Sequence, residues 1–169
     1  MLTQAQVKDR LHYDPVTGIF THNNLPKLSR HIRPGEVAGA KNSTGGGYLQ
    51  VRIKCQYYSL HRLAWIYMTG SWPKAQIDHI NGNPSDNRFE NLRECSPLEN
   101  SRNRGMASHN TSGYKGVSFC KVAIKNPWRA NMKIDGKLKH LGCFRNPEEA
   151  YFEYCINVIE HHKEFANFG

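Results

Sequence analysis

The pair Asp78-His79 closes an apolar run, and the turn residues Asn81-Gly82 follow at once. Neighbouring side chains on a regular strand point to opposite faces. A strand over residues 75–80 can present both groups to one site only if it ends or distorts at the pair, and the Asn-Gly turn signal supports an ending. Residues 89–93 read as a return strand. Ser96-Pro97-Leu98-Glu99 is then a capping box, with Ser96 as N-cap, Pro97 at the first helical position and Glu99 reaching back. The helix it opens carries Asn100 in its first turn, where free N–H groups and the helix dipole favour a phosphate. Counted from the histidine, Asn91 lies 91 − 79 = 12 residues on and Asn100 lies 100 − 79 = 21 residues on.

With 169 residues and 38% hydrophobic side chains, the chain has room for one or two small domains and is not a disordered sequence. A formal charge of +9 favours a polyanionic partner, because Lys and Arg that neutralise phosphates release condensed counterions. No apolar run approaches the roughly 20 residues that span a bilayer, and the start does not read as a signal peptide; neither a membrane partner nor export is expected. The five cysteines, Cys55, Cys95, Cys120, Cys143 and Cys155, include no Cys-x-x-Cys pair. That spacing speaks against a disulfide framework and against a structural zinc, and for reduced thiols in a cytoplasmic protein.

The set Asp78, His79, Asn91 and Asn100, in this register, resembles the HNH nuclease motif, or ββα-metal fold. Leu60-His61-Arg62-Leu63-Ala64-Trp65 looks like the helix that precedes the motif in phage and intron homing endonucleases. The resemblance covers roughly residues 48–104. It implies His79 as general base, Asp78 and Asn100 as ligands of Mg²⁺ or Mn²⁺, and Asn91 as a brace on the loop that carries His79. A base near the ordinary histidine pKa of about 6.5 suits neutral pH, and hard oxygen ligands suit these ions better than zinc. Asn81, Asn83 and Asn87 are expected to do turn or cap chemistry, and His61 to be structural. Arg93, Arg102 and Arg104 are candidate phosphate contacts or simple solvated charge.

Elsewhere the chain divides into an N-terminal extension (1–47), the nuclease domain (48–104), a linker (105–112) and a C-terminal domain (113–169). In the extension, residues 2–11 suggest a helix capped by Thr3, Asp14-Pro15-Val16-Thr17-Gly18 a turn, and residues 22–47 a basic loop that lies along DNA or is simply solvated. Residues 48–54 and 56–59 read as a hairpin and 60–68 as a helix ended by Thr69-Gly70, with Leu60, Leu63, Ala64 and Tyr67 facing the core. In the C-terminal domain three strands are expected over 114–119, 128–134 and 137–144, the last two joined by the Asp135-Gly136 turn. Asn146 then caps a helix to about residue 163, with Ala150, Tyr151, Tyr154, Cys155, Val158 and Ile159 inward.

From Thr111 to Lys139 seven Lys or Arg face one acid, Asp135. A basic sheet fits the major groove, with Lys115, Trp128, Arg129, Asn131, Lys133, Lys137 and Lys139 as candidate DNA contacts. Gly116-Val117, Trp128-Arg129-Ala130, Gly136-Lys137, Leu141-Gly142, Phe144, Glu148-Glu149-Ala150 and Ala166-Asn167-Phe168 resemble the ethylene-response-factor (Apetala-type) DNA-binding domain, which implies a three-stranded sheet reading the major groove.

The expected fold class is therefore α+β: a ββα-metal nuclease module followed by a three-stranded antiparallel sheet packed on one helix. The expected function is a metal-dependent, site-specific DNA endonuclease of homing type, acting on double-stranded DNA as a monomer in the cytoplasm of a phage-infected bacterial cell. A non-catalytic DNA-binding protein with a degenerate nuclease module is the alternative, and an RNA-processing nuclease a third reading.

Overall fold

A computed structural model describes residues 1–23, 32–42 and 46–169, and its contacts divide the chain into two compact units, Met1–Cys95 and Ser96–Gly169. The fold is mixed α and β. The first unit opens with helix α1 (Gln4–Arg10), started by a capping box in which Thr3 Oγ1 accepts from the Gln6 N–H and the Gln6 side chain accepts from the Thr3 N–H. Strands β1 (Leu11–Tyr13) and β2 (Phe20–His22) form an antiparallel hairpin. Between them Asp14 accepts from the Val16 N–H and the Thr17 hydroxyl, and Gly18 turns the chain with φ +73°. Strand β3 (Ala40–Lys41) pairs with β4 (Leu49–Ile53), which pairs with β5 (Gln56–Ser59). Part of the basic 22–47 segment falls outside the described residues; of the rest, Val37 bridges to Thr21 and Ala40–Lys41 joins the sheet.

Helix α2 (Leu60–Thr69) ends where Gly70, at φ +83°, returns its N–H to the Ile66 carbonyl. Its buried side is Leu60, His61, Leu63, Ala64 and Ile66, while Tyr67 is half-buried. Strand β6 (Gln76–His79) pairs antiparallel with β7 (Leu92–Cys95). The return strand thus starts later than residue 89: Phe89–Asn91 form one 3₁₀ turn first. A single core joins α2 and β4 to Val7, Leu11, Tyr13, Phe20 and Ala38, so much of the N-terminal segment supplies interior rather than a free extension.

The second unit begins with helix α3 (Pro97–Arg102). Both bonds of its capping box form: Glu99 N–H to Ser96 Oγ at 3.3 Å and Ser96 N–H to Glu99 Oε2 at 2.8 Å. Strands β8 (Val117–Phe119), β9 (Trp128–Ile134) and β10 (Lys137–Phe144) make an antiparallel sheet in the order β10-β9-β8. Asp135 and Gly136 turn β9 into β10 with φ of +50° and +79°, both positive as a type I′ turn requires. Helix α4 (Pro147–His162), capped by Asn146, packs on this sheet. Its buried residues are Ala150, Tyr154, Val158 and His162; Ile159, expected inside, is 59% exposed, because the i+4 repeat carries the inward stripe on to His162. Among the described residues no helix is long and apolar enough to cross a membrane.

Gly18 is where the N-terminal hairpin meets the loop after β6: a Cβ there would stand 2.6 Å from the Asn87 carbonyl carbon and closer still to the Arg88 nitrogen. Gly82 also has positive φ, +71°, but open space around it. Gly82→Ala should cost about 1–2 kcal/mol of backbone strain, and Gly18→Ala more than about 3 kcal/mol, since two backbones must part. Urea unfolding of the two variants measures the difference.

Candidate active site

Strand β6 ends at His79, and the chain turns there: the Gly82 N–H returns to the His79 carbonyl at 2.8 Å. Asp78 and His79 are 6% and 5% exposed. Asp78 lies opposite Arg93 in the β6–β7 register, and Arg93 Nε and Nη2 both reach Asp78 Oδ2, at 2.9 and 2.8 Å. His79 has different neighbours. Its Nε2 is 3.2 Å from Asn87 Oδ1, its ring meets His61 edge-on at 5.3 Å, and Tyr48 lies 5.9 Å away. An amide oxygen can only accept, so Nε2 carries the proton and Nδ1 the lone pair. Burial pushes the His79 pKa below the ordinary histidine value, against the opposing pull of the Asn87 bond and of Asp78 and Asp86. The ring is therefore neutral at pH 7, the state a base requires.

The loop from residue 80 to 91 is tied by amides. Asn91 Oδ1 accepts from the Asn81 N–H at 3.0 Å, while its Nδ2 donates to Asn81 Oδ1 at 3.0 Å and to the Asp86 carbonyl at 2.8 Å. The Ile80 N–H donates to the Asn91 carbonyl, so the 3₁₀ turn and the strand end are stitched at two levels. Asn81 and Asn83 do the expected turn work, each accepting from the N–H two residues on. Asn87 does not. It is 1% exposed, its side chain sits on His79, its carbonyl accepts from Tyr13 Oη at 2.7 Å, and its Nδ2 has no partner. Asp86 is held down to about 2, chiefly by its bond from Arg88.

Asn100 belongs to the second unit, on α3. The first-turn donors there are already in use: the Glu99 N–H goes to Ser96 Oγ and the Asn100 N–H to the Ser96 carbonyl at 3.0 Å. The expected phosphate seat on this six-residue helix is thus largely filled by its own cap.

For a divalent ion, a carboxylate and an amide oxygen are hard donors that fit Mg²⁺ or Mn²⁺ in kind. Asp78 would have to share itself between the cation and Arg93, which takes two of its roughly four acceptor positions. Among the described residues no three His, Cys, Asp or Glu side chains converge, the grouping a zinc site favours.

Several candidate DNA contacts have internal partners. Arg93 is bound to Asp78 and Arg102 to Asp135 at 3.1 Å. Lys115 Nζ donates to the Arg104 carbonyl and to Asn167 O and Oδ1, and burial lowers its pKa to about 8. Trp128 is half-buried, edge-on to Phe119. Arg129, Asn131 and Lys133 lie on the face of β9 away from α4, with Asn131 Oδ1 3.0 Å from His140 Nδ1. Lys137 and Lys139 are opposite Ile134 and Met132 in the register, so they project to the other face of the sheet, exposed beyond the helix. Arg104 is exposed.

Asn87, expected in turn or cap chemistry, instead sits buried on His79, and His61, expected to be structural, packs on the same ring with Tyr48 nearby. The helical stripe of α2 was the available signal for His61, one step from Leu60 and three from Ala64. Nothing local marks Asn87, whose burial comes from Tyr13 and Gly18, far away in the chain.

A strand ending in Asp-His, an amide-tied loop, a return strand and a capped helix is, in chain order, the layout of a ββα nuclease module. Residues 58–102 match the family model for HNH endonuclease, so an HNH endonuclease domain occupies that segment. Over 78 residues the chain is 41% identical to "Protein 3.8" of Escherichia phage T7, an alignment that takes in 46% of this chain and 63% of that protein. The chain thus spans less than two thirds of the length of the curated relative it matches. No solved structure matches it.

Two measurements test the site as described. Arg93→Leu leaves Asp78 buried without its guanidinium and should cost about 3–5 kcal/mol in urea unfolding. His61 is held neutral by burial, its pKa pushed down to about 3, with the nearby charges of His79 and Arg62 acting in the same direction. The unfolded chain protonates this histidine near its ordinary value of about 6.5. Below that pH the unfolded state binds a proton the folded state refuses, so stability is full above about 6.5 and declines toward the folded value. The urea midpoint should fall between about pH 7 and about pH 4, and fall less in His61→Phe.

Proposed function

We propose that the chain is a metal-dependent DNA endonuclease of homing type, and that His79 is its general base. One observation carries this reading: a buried, neutral imidazole on a strand end, oriented by Asn87, within a segment that matches the HNH endonuclease model. In the proposed reaction His79 takes a proton from water, the water oxygen attacks the scissile phosphorus, and the bond to the leaving 3′ oxygen breaks. Asn91 acts by holding the loop that aims His79. Asp78 and Asn100 would hold Mg²⁺ or Mn²⁺, which when bound polarises the phosphate and stabilises the leaving oxygen. One carboxylate and one neutral amide under-compensate a dication, so binding of the ion should be weak until DNA phosphate joins the site.

In this reading the second unit tethers the nuclease to double-stranded DNA. Its three-stranded sheet on one helix, with Arg129, Asn131 and Lys133 outward, supports an Apetala-type DNA-binding domain. Lysine at several positions lacks the bidentate fork of arginine, which favours backbone contact over sharp base readout. The protein would work as a monomer in the cytoplasm of a phage-infected cell. A specific observation favours a second reading, a DNA binder without cleavage: Arg93 already neutralises Asp78.

Supercoiled plasmid separates the two. Wild-type protein with Mg²⁺ should convert it to nicked or linear form, EDTA should stop conversion, and His79→Ala should slow it by about 10²–10⁴-fold. Undiminished cutting by His79→Ala rejects the assigned base, whereas a gel shift by the wild type without any cutting supports the binder.

A further inference from the structure

The second unit contains a cavity of about 320 Å³ that the nuclease reading does not use. Four cations line it, Arg102, Arg104, Lys115 and Lys133, and among the described residues no carboxylate does. Asp135 pairs with Arg102 from outside the lining. Counted together these five groups give 4 − 1 = +3, with His162 neutral. The Lys115 ammonium is half-buried against carbonyl and amide oxygens only. A cation placed so, without a counter-charge, is costly unless an anion arrives. Arg102 Nε and His162 Nδ1, on two residues of the lining, are also buried without a hydrogen-bond partner. Burial is the main cause that lowers the His162 pKa, and the charges of Arg102 and Lys115 add to it, so the local potential is positive.

The lining also includes the apolar side chains of Leu98, Met132, Leu138 and Tyr154, with Leu138 beside Lys133 across the β9–β10 ladder. Its volume is at the lower end of the roughly 300–1,000 Å³ of small-molecule pockets. That is more than an isolated phosphate would fill, and too little for a duplex. A lining that mixes cations with apolar side chains matches a ligand with a charged end and a flat, weakly polar end. Gly116 lets the Tyr154 ring of the lining pack directly on the backbone, since a Cβ there would run into it.

We propose that this cavity binds a single nucleotide, its phosphate toward Arg104 and its base against Leu138. The nucleotide is either free or one unit of a single strand; the chemistry is shared. The site does not depend on His79 acting as a base, and it is tested without a cleavage step.

The test uses the full chain, ¹⁵N-labelled, in EDTA, titrated separately with inorganic phosphate, deoxyadenosine 5′-monophosphate and a short single-stranded oligonucleotide. The expected result is movement of the Gly116 and Gly136 amide signals with the mononucleotide, about tenfold tighter than with phosphate. Leu138→Trp fills the cavity from an exposed strand position (Leu138 is 70% exposed) and should weaken binding about tenfold. Arg104→Glu, on an exposed side chain, should do the same by charge. If only the oligonucleotide moves these amides, and the same variants weaken it, the nucleotide is one within a strand. Equal affinity for phosphate and mononucleotide overturns the proposal in favour of a bare anion site. Binding untouched by both variants, or no movement with any of the three probes, rejects the cavity as a site.

Discussion

A neutral imidazole buried at the end of a strand requires neighbours that satisfy it without charging it, and much of the first unit is arranged to supply them. Asn87 reaches His79 because its own backbone is fixed from the far side: Tyr13 donates to its carbonyl, and Gly18 lets the N-terminal hairpin approach within backbone distance. Each unmet buried polar group costs about 1–3 kcal/mol, so a loop of this polarity is stable only if its amides find partners. Asn91 makes three such bonds and Asn81 joins it. The hairpin formed by β1 and β2 is thus a buttress for the loop that follows His79, and the core that contains Val7, Leu11 and Phe20 holds the buttress in place.

Charge is distributed on a different logic. Asp78 is compensated across the ladder by Arg93, with side chains 7% and 15% exposed, so the pair is largely withdrawn from solvent. Breaking a pair of this kind is far more costly than never having had it, which ties β7 to β6 through chemistry as well as through backbone bonds. In the second unit, antiparallel register decides which cations can act together. Directly opposed residues share a face, and Lys133 opposes Leu138 while Lys137 and Lys139 oppose Ile134 and Met132. A basic stretch of sequence is therefore split between two faces, and the outward one carries fewer cations than a simple count suggests.

What was legible in the sequence was local. The Ser96 capping box, the Asp135-Gly136 turn, the alternation along β9 and the cap at Asn146 each depend on residues within a few positions of one another, and their physics is complete at that range. Asp78-His79 at the close of a strand was legible for the same reason. The surroundings of His79 were not: Tyr48, His61 and Asn87 converge from a strand, a helix and a loop. The 3₁₀ turn at Phe89–Asn91 escaped because it is set by where the Asn91 amide must reach, back to Asn81 and Asp86, rather than by any turn signal of its own.

The choice of amide over carboxylate at Asn81, Asn87 and Asn91 follows from the same requirement. An aspartate at position 81 or 91 would lose the bonds that the Asn81 and Asn91 amide nitrogens donate, while at position 87 it could accept the same bond and grip the Nε2 proton more strongly. It would also add a negative charge close to His79, where Asp78 and Asp86 already pull the pKa upward against burial. A further carboxylate would favour the imidazolium, the form that cannot accept a proton from water. Arg88 engages Asp86 on both oxygens, which offsets part of its pull on the histidine. Neutral amides provide direction without potential, which lets one loop be rigid, buried and polar while the imidazole at its root stays uncharged.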